Sequence, residues 1–305
     1  MSATPLTFDG KVILITGAGR GLGAAYAKLF AARGARVVVN DLGGDMDGAG
    51  ADNAAATTVV REISASGGKA IANFDDIRDA KSARNIVDAA LHAYGRLDCV
   101  VNNAGIISAQ QFQDLTSESI YKQLDVHLIG SLNVTQAAWP ELVNSRGSVI
   151  LTCSGGMIGN THTMAYNIAK AAVYGLARSL ACSAPDVGVR VNAIMPSGQT
   201  RMQSLTPSLK SNADSDRERP VHRPDNAAAL VCFLAHDSCR SNGEMFTTGR
   251  GHVARTFLAS TPGYTAEHLT VETIAEHFPQ ILNTDGFHVE TTMEAFRERR
   301  YAAWT

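Results

Sequence analysis

The chain has 305 residues, 45% of them hydrophobic and 18% charged, which suffices for one large α/β domain or two small ones with a sizeable core. Its formal net charge of −2 gives no case for nucleic acid or an anionic membrane surface as a partner. No apolar run approaches the ~18 residues of a membrane-crossing helix, Met1 to Asp9 lacks the layout of a secretory signal, and Ala302 to Thr305 is not a peroxisomal Ser-Lys-Leu ending.

In chain order, an apolar run over 11–16 leads into Gly17-Ala18-Gly19-Arg20-Gly21-Leu22-Gly23, and a helical stretch over 22–33 follows at once. Strand, glycine turn and helix N-terminus in that order predict a pyrophosphate cradle, because only bare backbone approaches the phosphates closely and the helix start offers free N–H groups. A strand over 36–40 ends at Asp41, near the spacing expected of a carboxylate that binds a ribose. A glycine- and aspartate-rich loop, Gly43 to Gly50, comes next. Further strands are predicted over 69–74, 97–102, 147–153, 189–195 and 244–248. Helices are predicted over 52–66, 79–94, 117–143, 163–183 and 225–236. The strands are short and several are rich in Val and Ile, as strands covered on both faces are. The alternation implies an α/β fold with a doubly wound parallel sheet, the Rossmann arrangement, over residues 1–250. Residues 251–305 are expected to form a C-terminal extension packed on the same domain, with weak helical signal at 266–278 and 291–303. The long polar loop from Ser197 to Pro224 follows a strand's carboxyl end, where substrate lies in such sheets.

The five cysteines, at 99, 153, 182, 232 and 239, make no Cys-x-x-Cys pair and fall mostly in apolar contexts. Reduced thiols and a cytoplasmic location are the expectation. The nine histidines show no His-x-x-x-His spacing, so no metal is expected.

Tyr166 and Lys170 stand four apart in a helical run and share a face. A phenol with a pKa of about 10 is a poor base at neutral pH, and a neighbouring ammonium favours the phenolate. A shift of about three units needs roughly 4 kcal/mol. One close ammonium in a partly dry site supplies a good part of that. Ser154, at the end of the strand over 147–153, is placed to hydrogen-bond the same substrate oxygen.

With Thr16 to Gly23, Asn102-Asn103-Ala104-Gly105 and Tyr166 to Lys170 in hand, the chain resembles the short-chain dehydrogenase/reductase family over residues 7–250. Pro5 to Lys11, Val39 to Asp45, Val126-His127-Leu128, Gly159-Asn160 and His236 to Cys239 are similar to a narrower group. That group is the (3R)-hydroxyacyl-CoA dehydrogenase domain of peroxisomal multifunctional enzymes of type 2 and its bacterial single-domain relatives. The resemblance implies oxidation of a 3-hydroxyacyl-CoA to the 3-ketoacyl-CoA with NAD. It makes Tyr166 the proton-transferring residue, Lys170 the residue that lowers its pKa and holds the nicotinamide ribose, and Ser154 the one that orients the substrate oxygen. Gly17, Arg20, Gly21, Leu22, Gly23, Asp41, Asp75, Asn103, Ala104, Pro196 and Ser197 join Tyr166 and Lys170 in the expected cofactor set.

Three positions depart from the family pattern. Counting back thirteen residues from the tyrosine meets Cys153, whereas strand register places Ser154 in the catalytic slot. The strand register is preferred, since a slip by one turns every side chain over. His127 stands where many members carry Asn, as a relay through its two nitrogens or as a structural histidine. The Pro-Gly after the sixth strand reads Pro196-Ser197. Asp41 favours NAD, because a 2′-phosphate about 4 Å away would be repelled by ~4 kcal/mol per unit charge at an effective dielectric of about 20. Arg20 would soften that repulsion. The partner expected is a small molecule, an acyl-CoA or a hydrophobic secondary alcohol such as a hydroxysteroid. A non-catalytic dinucleotide sensor is the alternative from another class. The long helices predict a homodimer or homotetramer. Arg217, Arg219, His222 and Arg223, in the long loop, are either a phosphate-binding cluster for CoA or solvated charges balanced by nearby acids.

Overall fold

A computed structural model describes residues 5–198 and 224–302 of the chain, with side chains placed as far as Arg299. The reading of Arg217 to Arg223 lies outside the described residues, as does most of the Ser197–Pro224 loop. Two compact units divide at Arg255.

The first unit is built on eight strands: β1 Val12–Thr16, β2 Arg36–Asn40, β3 Lys69–Asn73, β4 Cys99–Asn102, β5 Ser148–Thr152, β6 Arg190–Pro196, β7 Met245–Gly249 and β8 His252–Thr256. Their order across the sheet is β3-β2-β1-β4-β5-β6-β7-β8. The pairings from β3 to β7 are all parallel, with Ile13 opposite Val37 on one side and Cys99 on the other. The order reverses between β1 and β4, and a crevice opens there at the carboxyl ends of the strands.

Six helices cover the sheet: α1 Gly21–Ala32, α2 Ala54–Ala65, α3 Ala80–Tyr94, α5 Gly130–Ser145, α6 Met164–Ser183 and α7 Asp225–Ala235, with a short α4, Ser117–Leu124, leading into α5. Alternate strand residues face opposite layers. Ile13, Ile15, Val37 and Val39 pack with α1, α2 and α7. Val12, Leu14, Val38 and Val100 pack with α3, α5 and α6. Both faces are therefore dry, which is why the strands read as nearly continuous apolar runs.

In this unit two features differ from the sequence reading. The helix expected over 117–143 is interrupted by a wide π turn at Asp125–Ile129, which carries His127. β8 was not anticipated. It follows β7 after two residues, Arg250 (φ 53°) and Gly251 (φ 75°), a left-handed pair that reverses the chain, so this last strand runs antiparallel. The Arg255 guanidinium forks onto the Glu244 carboxylate at 2.6 and 2.8 Å and fixes the hairpin's end.

The second unit, residues 256–302, holds α8 Val271–Leu282 and α9 Met293–Ala302. α8 starts later than expected because Thr270 and Thr273 form a reciprocal cap, and it runs on through Pro279. Phe257 stacks on Phe287, and Tyr264 stacks on His277.

Candidate active site

The residues expected to form the catalytic and cofactor sets line one cavity of about 590 Å³ at the switch point. The Thr16 hydroxyl, at the end of β1, accepts the N–H groups of Asn103 and Ala104, both at 3.1 Å. The Asn103 amide donates back to the carbonyls of Thr16 and Gly17 at 3.0 Å. Asn103 thus bolts the β4 loop to the β1 turn. Gly17 sits at φ 61°, and a Cβ there would lie 2.6 Å from the Ala104 Cα. A Cβ on Gly23 would strike the Gly17 carbonyl. No side chain among the described residues caps α1, and its first-turn N–H groups face a cradle that fits a pyrophosphate.

On the β2 side, the Asp41 carboxylate accepts the N–H groups of Gly19 and Gly43, each at 2.7 Å. That locks its orientation and leaves lone pairs for sugar hydroxyls. Arg20 lines the cavity, but its guanidinium donates to the carbonyls of Gly43 (3.4 Å) and Gly44 (3.3 Å) and reaches Asp52 at 3.5 Å. The structure commits Arg20 to the neighbouring loop. Asp75 is set by the Asn73 amide (2.7 Å), while Asn40 donates to the Asp75 carbonyl (2.9 Å). Leu22 at the start of α1 lines the cavity too, as do Pro196 and Ser197 at the end of β6, where the Ser197 N–H donates to the Thr248 carbonyl at 2.6 Å.

The reacting groups gather where β5 and α6 meet the π turn. Lys170 is 4% exposed and its ammonium donates to the Thr152 carbonyl at 2.6 Å. Burial lowers its pKa to about 8, against a smaller upward pull from Cys153. The Lys170 Nζ lies 5.7 Å from the centre of the Tyr166 ring. Burial pushes the Tyr166 phenol up, and a hydrogen bond with the Ser154 side chain opposes this. Burial, with a smaller upward push from Cys153, outweighs the Ser154 bond in the free protein, contrary to the downward shift that the i,i+4 spacing suggests. Ser154 follows β5, where its Oγ also accepts the Gly156 N–H at 3.1 Å. Cys153 is buried, with its thiol pushed up to about 12.

His127 is 1% exposed, and its ring meets Tyr166 edge to face at 5.3 Å. Its pKa is held well below 6.5, first by burial and then by the Lys170 charge. It is therefore neutral. Its Nε2 lies 2.8 Å from the Ile106 carbonyl, the geometry of an Nε2–H donor, which leaves Nδ1 an acceptor with no partner among the described residues.

A family model for short chain dehydrogenases matches residues 11–208. The chain belongs to the short chain dehydrogenase family. Peroxisomal multifunctional enzyme type 2 of Mus musculus is 40% identical over 261 residues, 83% of this chain and 33% of that protein. The chain thus spans about a third of the length of that relative. A putative short-chain type dehydrogenase/reductase of Mycobacterium tuberculosis is 36% identical over 281 residues, 90% of this chain and 95% of the other. The crystal structure of a short chain dehydrogenase from Mycobacterium paratuberculosis bound to NAD superposes with a TM-score of 0.70 at 29% identity, over 80% of this chain and 97% of that one. This short chain dehydrogenase is an oxidoreductase that acts on CH–OH groups, and the family and the cradle support a nicotinamide dinucleotide as cofactor.

Sequence reasoning passed over the Thr152 carbonyl, which holds Lys170, and Met46 and Ile107, which line the cavity. A backbone carbonyl leaves no residue signature, whereas the glycines around Met46 do mark a loop. The neutral histidine is directly measurable. Nitrogen NMR shifts of His127 should report the Nε2–H tautomer unchanged from about pH 5 to about pH 8, the range where a free imidazole titrates. A transition near 6.5 would contradict its burial.

Proposed function

We propose that this short chain dehydrogenase oxidises (3R)-3-hydroxyacyl-CoA thioesters to 3-ketoacyl-CoA with NAD, through Tyr166, Ser154 and Lys170. The observation that carries the chemistry is a phenol, a hydroxyl and an ammonium converging in one cavity. The likeness to peroxisomal multifunctional enzyme type 2 supports the acyl-CoA class. Asp41 supports NAD, because its fixed carboxylate offers acceptors to two ribose hydroxyls and repels a 2′-phosphate. Arg20 is held by Gly43, Gly44 and Asp52, which leaves less of its charge to offset that repulsion. Glycine turn, Leu22, Asp75, Asn103, Ala104, Pro196 and Ser197 would hold the dinucleotide, and its nicotinamide supplies the hydride acceptor. Tyr166 takes the hydroxyl proton as the C–O bond gains double-bond character, so the alcohol loses one hydride and one proton. Ser154 donates to the same oxygen and holds it beside the phenol. The Lys170 charge favours the phenolate once a second positive charge shares the cavity. His127 is a positioning residue, its bare Nδ1 an acceptor for a water on the lysine side. A homodimer or homotetramer belongs to the same reading, supported by Ile129, Leu132 and Ile168 left partly exposed on and before α5 and on α6.

Tyr166→Phe should lower turnover by about 10²–10⁴ while NADH still binds. Ser154→Ala should be severe and Cys153→Ala mild; the opposite order would assign the slot to the thiol. A panel of 3-hydroxyacyl-CoA, hydroxysteroid and simple secondary alcohols, followed by NADH absorbance, tests the substrate. The acyl-CoA should be turned over with the highest kcat/KM, and with NAD at least about tenfold better than with NADP, about 1.4 kcal/mol. A steroid that outpaces every acyl-CoA would overturn the substrate, and equal use of both cofactors would overturn the role of Asp41.

A further inference from the structure

Residues 42–52 leave the end of β2, cross the cleft and return to the start of α2. β1 lies between β2 and β4 in the sheet, yet this segment is bonded to the loop that follows β4. Its two attachments are unequal. At the β2 side, the Asp52 N–H donates to the Leu42 carbonyl at 3.0 Å and closes the loop at its base. Asp41 receives the Gly43 N–H there, and Arg20 grips the Gly43 and Gly44 carbonyls and the Asp52 carboxylate. Within the loop, the Asp45 N–H donates to the Ala49 carbonyl at 2.8 Å and the Gly48 N–H to the Asp45 carbonyl at 3.0 Å, so the loop is braced internally.

The far attachment is slight. The Ile107 N–H donates to the Met46 carbonyl at 2.9 Å. Gly48 backs onto the Ile106 side chain, where a Cβ would come within 3.0 Å. Lys122 stands 3.9 Å from Asp47, with both side chains about half exposed. An exposed pair at that distance holds little. Met46, Gly48, Ile106 and Ile107 all line the cavity that carries Asp41 and Tyr166.

We propose that residues 42–52 are a strap, anchored by Arg20 and latched at Met46–Ile107, that opens at the latch to admit the dinucleotide and closes across it. Cofactor exchange is then limited by unlatching, as lid opening limits release in other enzymes. Arg20 is a positioning residue in this scheme. It acts on the cofactor through the strap. The proposal rests on the dinucleotide reading of the cleft, and the test separates the two.

Met46→Cys/Ile107→Cys, with its engineered disulfide verified by mass, joins the strap to the far bank. Loaded with NADH and then oxidised, the variant should release NADH at least about tenfold more slowly than the same protein reduced, by stopped-flow fluorescence against excess NAD. Oxidised empty, it should fail to take NADH up, and reduction should restore binding. Equal release rates in the oxidised and reduced forms would overturn the strap. Should the bond not form, hydrogen exchange in the natural chain decides. Adding NADH should slow exchange of the Ile107 amide and of the 42–52 segment about tenfold or more, with the α3 amides unmoved. Unchanged exchange at the strap, with NADH bound, would overturn the proposal. NADH that fails to bind the natural chain at all would instead refute the cofactor reading.

Discussion

One buried ammonium organises the reacting end of this molecule. Lys170 on α6 is almost fully buried, and the carbonyl of Thr152, the last residue of β5, is the partner that holds it. Taking a cation out of water disfavours its charged form, and Lys170 sits close to neutral pH for that reason. The same dryness lets the remaining charge act at a distance. It helps keep His127 neutral, and it pulls on the Cys153 thiol without overcoming the burial that keeps that thiol protonated. The hydroxyl next to it in sequence, Ser154, hydrogen-bonds Tyr166.

The cleft is a consequence of sheet topology. Parallel strands point all their carboxyl ends one way, and the reversal of order between β1 and β4 leaves a gap that no crossover helix fills. Each functional side chain stands within a few residues of a strand end or on a helix packed against the sheet. The Thr16–Asn103 bolt ties the two banks of the gap at its floor. The strap ties them above Asp41, and its base and its latch differ in the number of bonds they make. A rigid floor with a weaker span over it suits a cofactor that must be held during reaction and exchanged afterwards.

Much of this was legible in the sequence, for definite reasons. Strands dry on both faces read as apolar runs, the glycines of the first turn are there because Cβ atoms would collide, and the four-residue spacing of Tyr166 and Lys170 survives in any helix. The π turn at His127 was not legible, because one extra residue per turn leaves the apolar pattern of a long helix almost unchanged. β8 escaped because its turn uses Arg250 in a left-handed conformation, where sequence rules expect Gly, Asn or Asp. The later start of α8 follows from a threonine pair that resembles any polar stretch, and its passage through Pro279 defies the usual helix-stop signal. The preference for Ser154 over Cys153 came from the expected register of β5, which a count back from the tyrosine does not give.

The roles proposed for Tyr166 and His127 depend on the state of Lys170 before any cofactor binds. A side-chain nitrogen NMR titration of the free protein, with Lys170→Met to assign the signal, measures it directly. Burial predicts a pKa of about 8 for this lysine. A value at the ordinary 10.5 would mean that water reaches the ammonium, and would contradict the dry site on which the roles of Tyr166 and His127 depend.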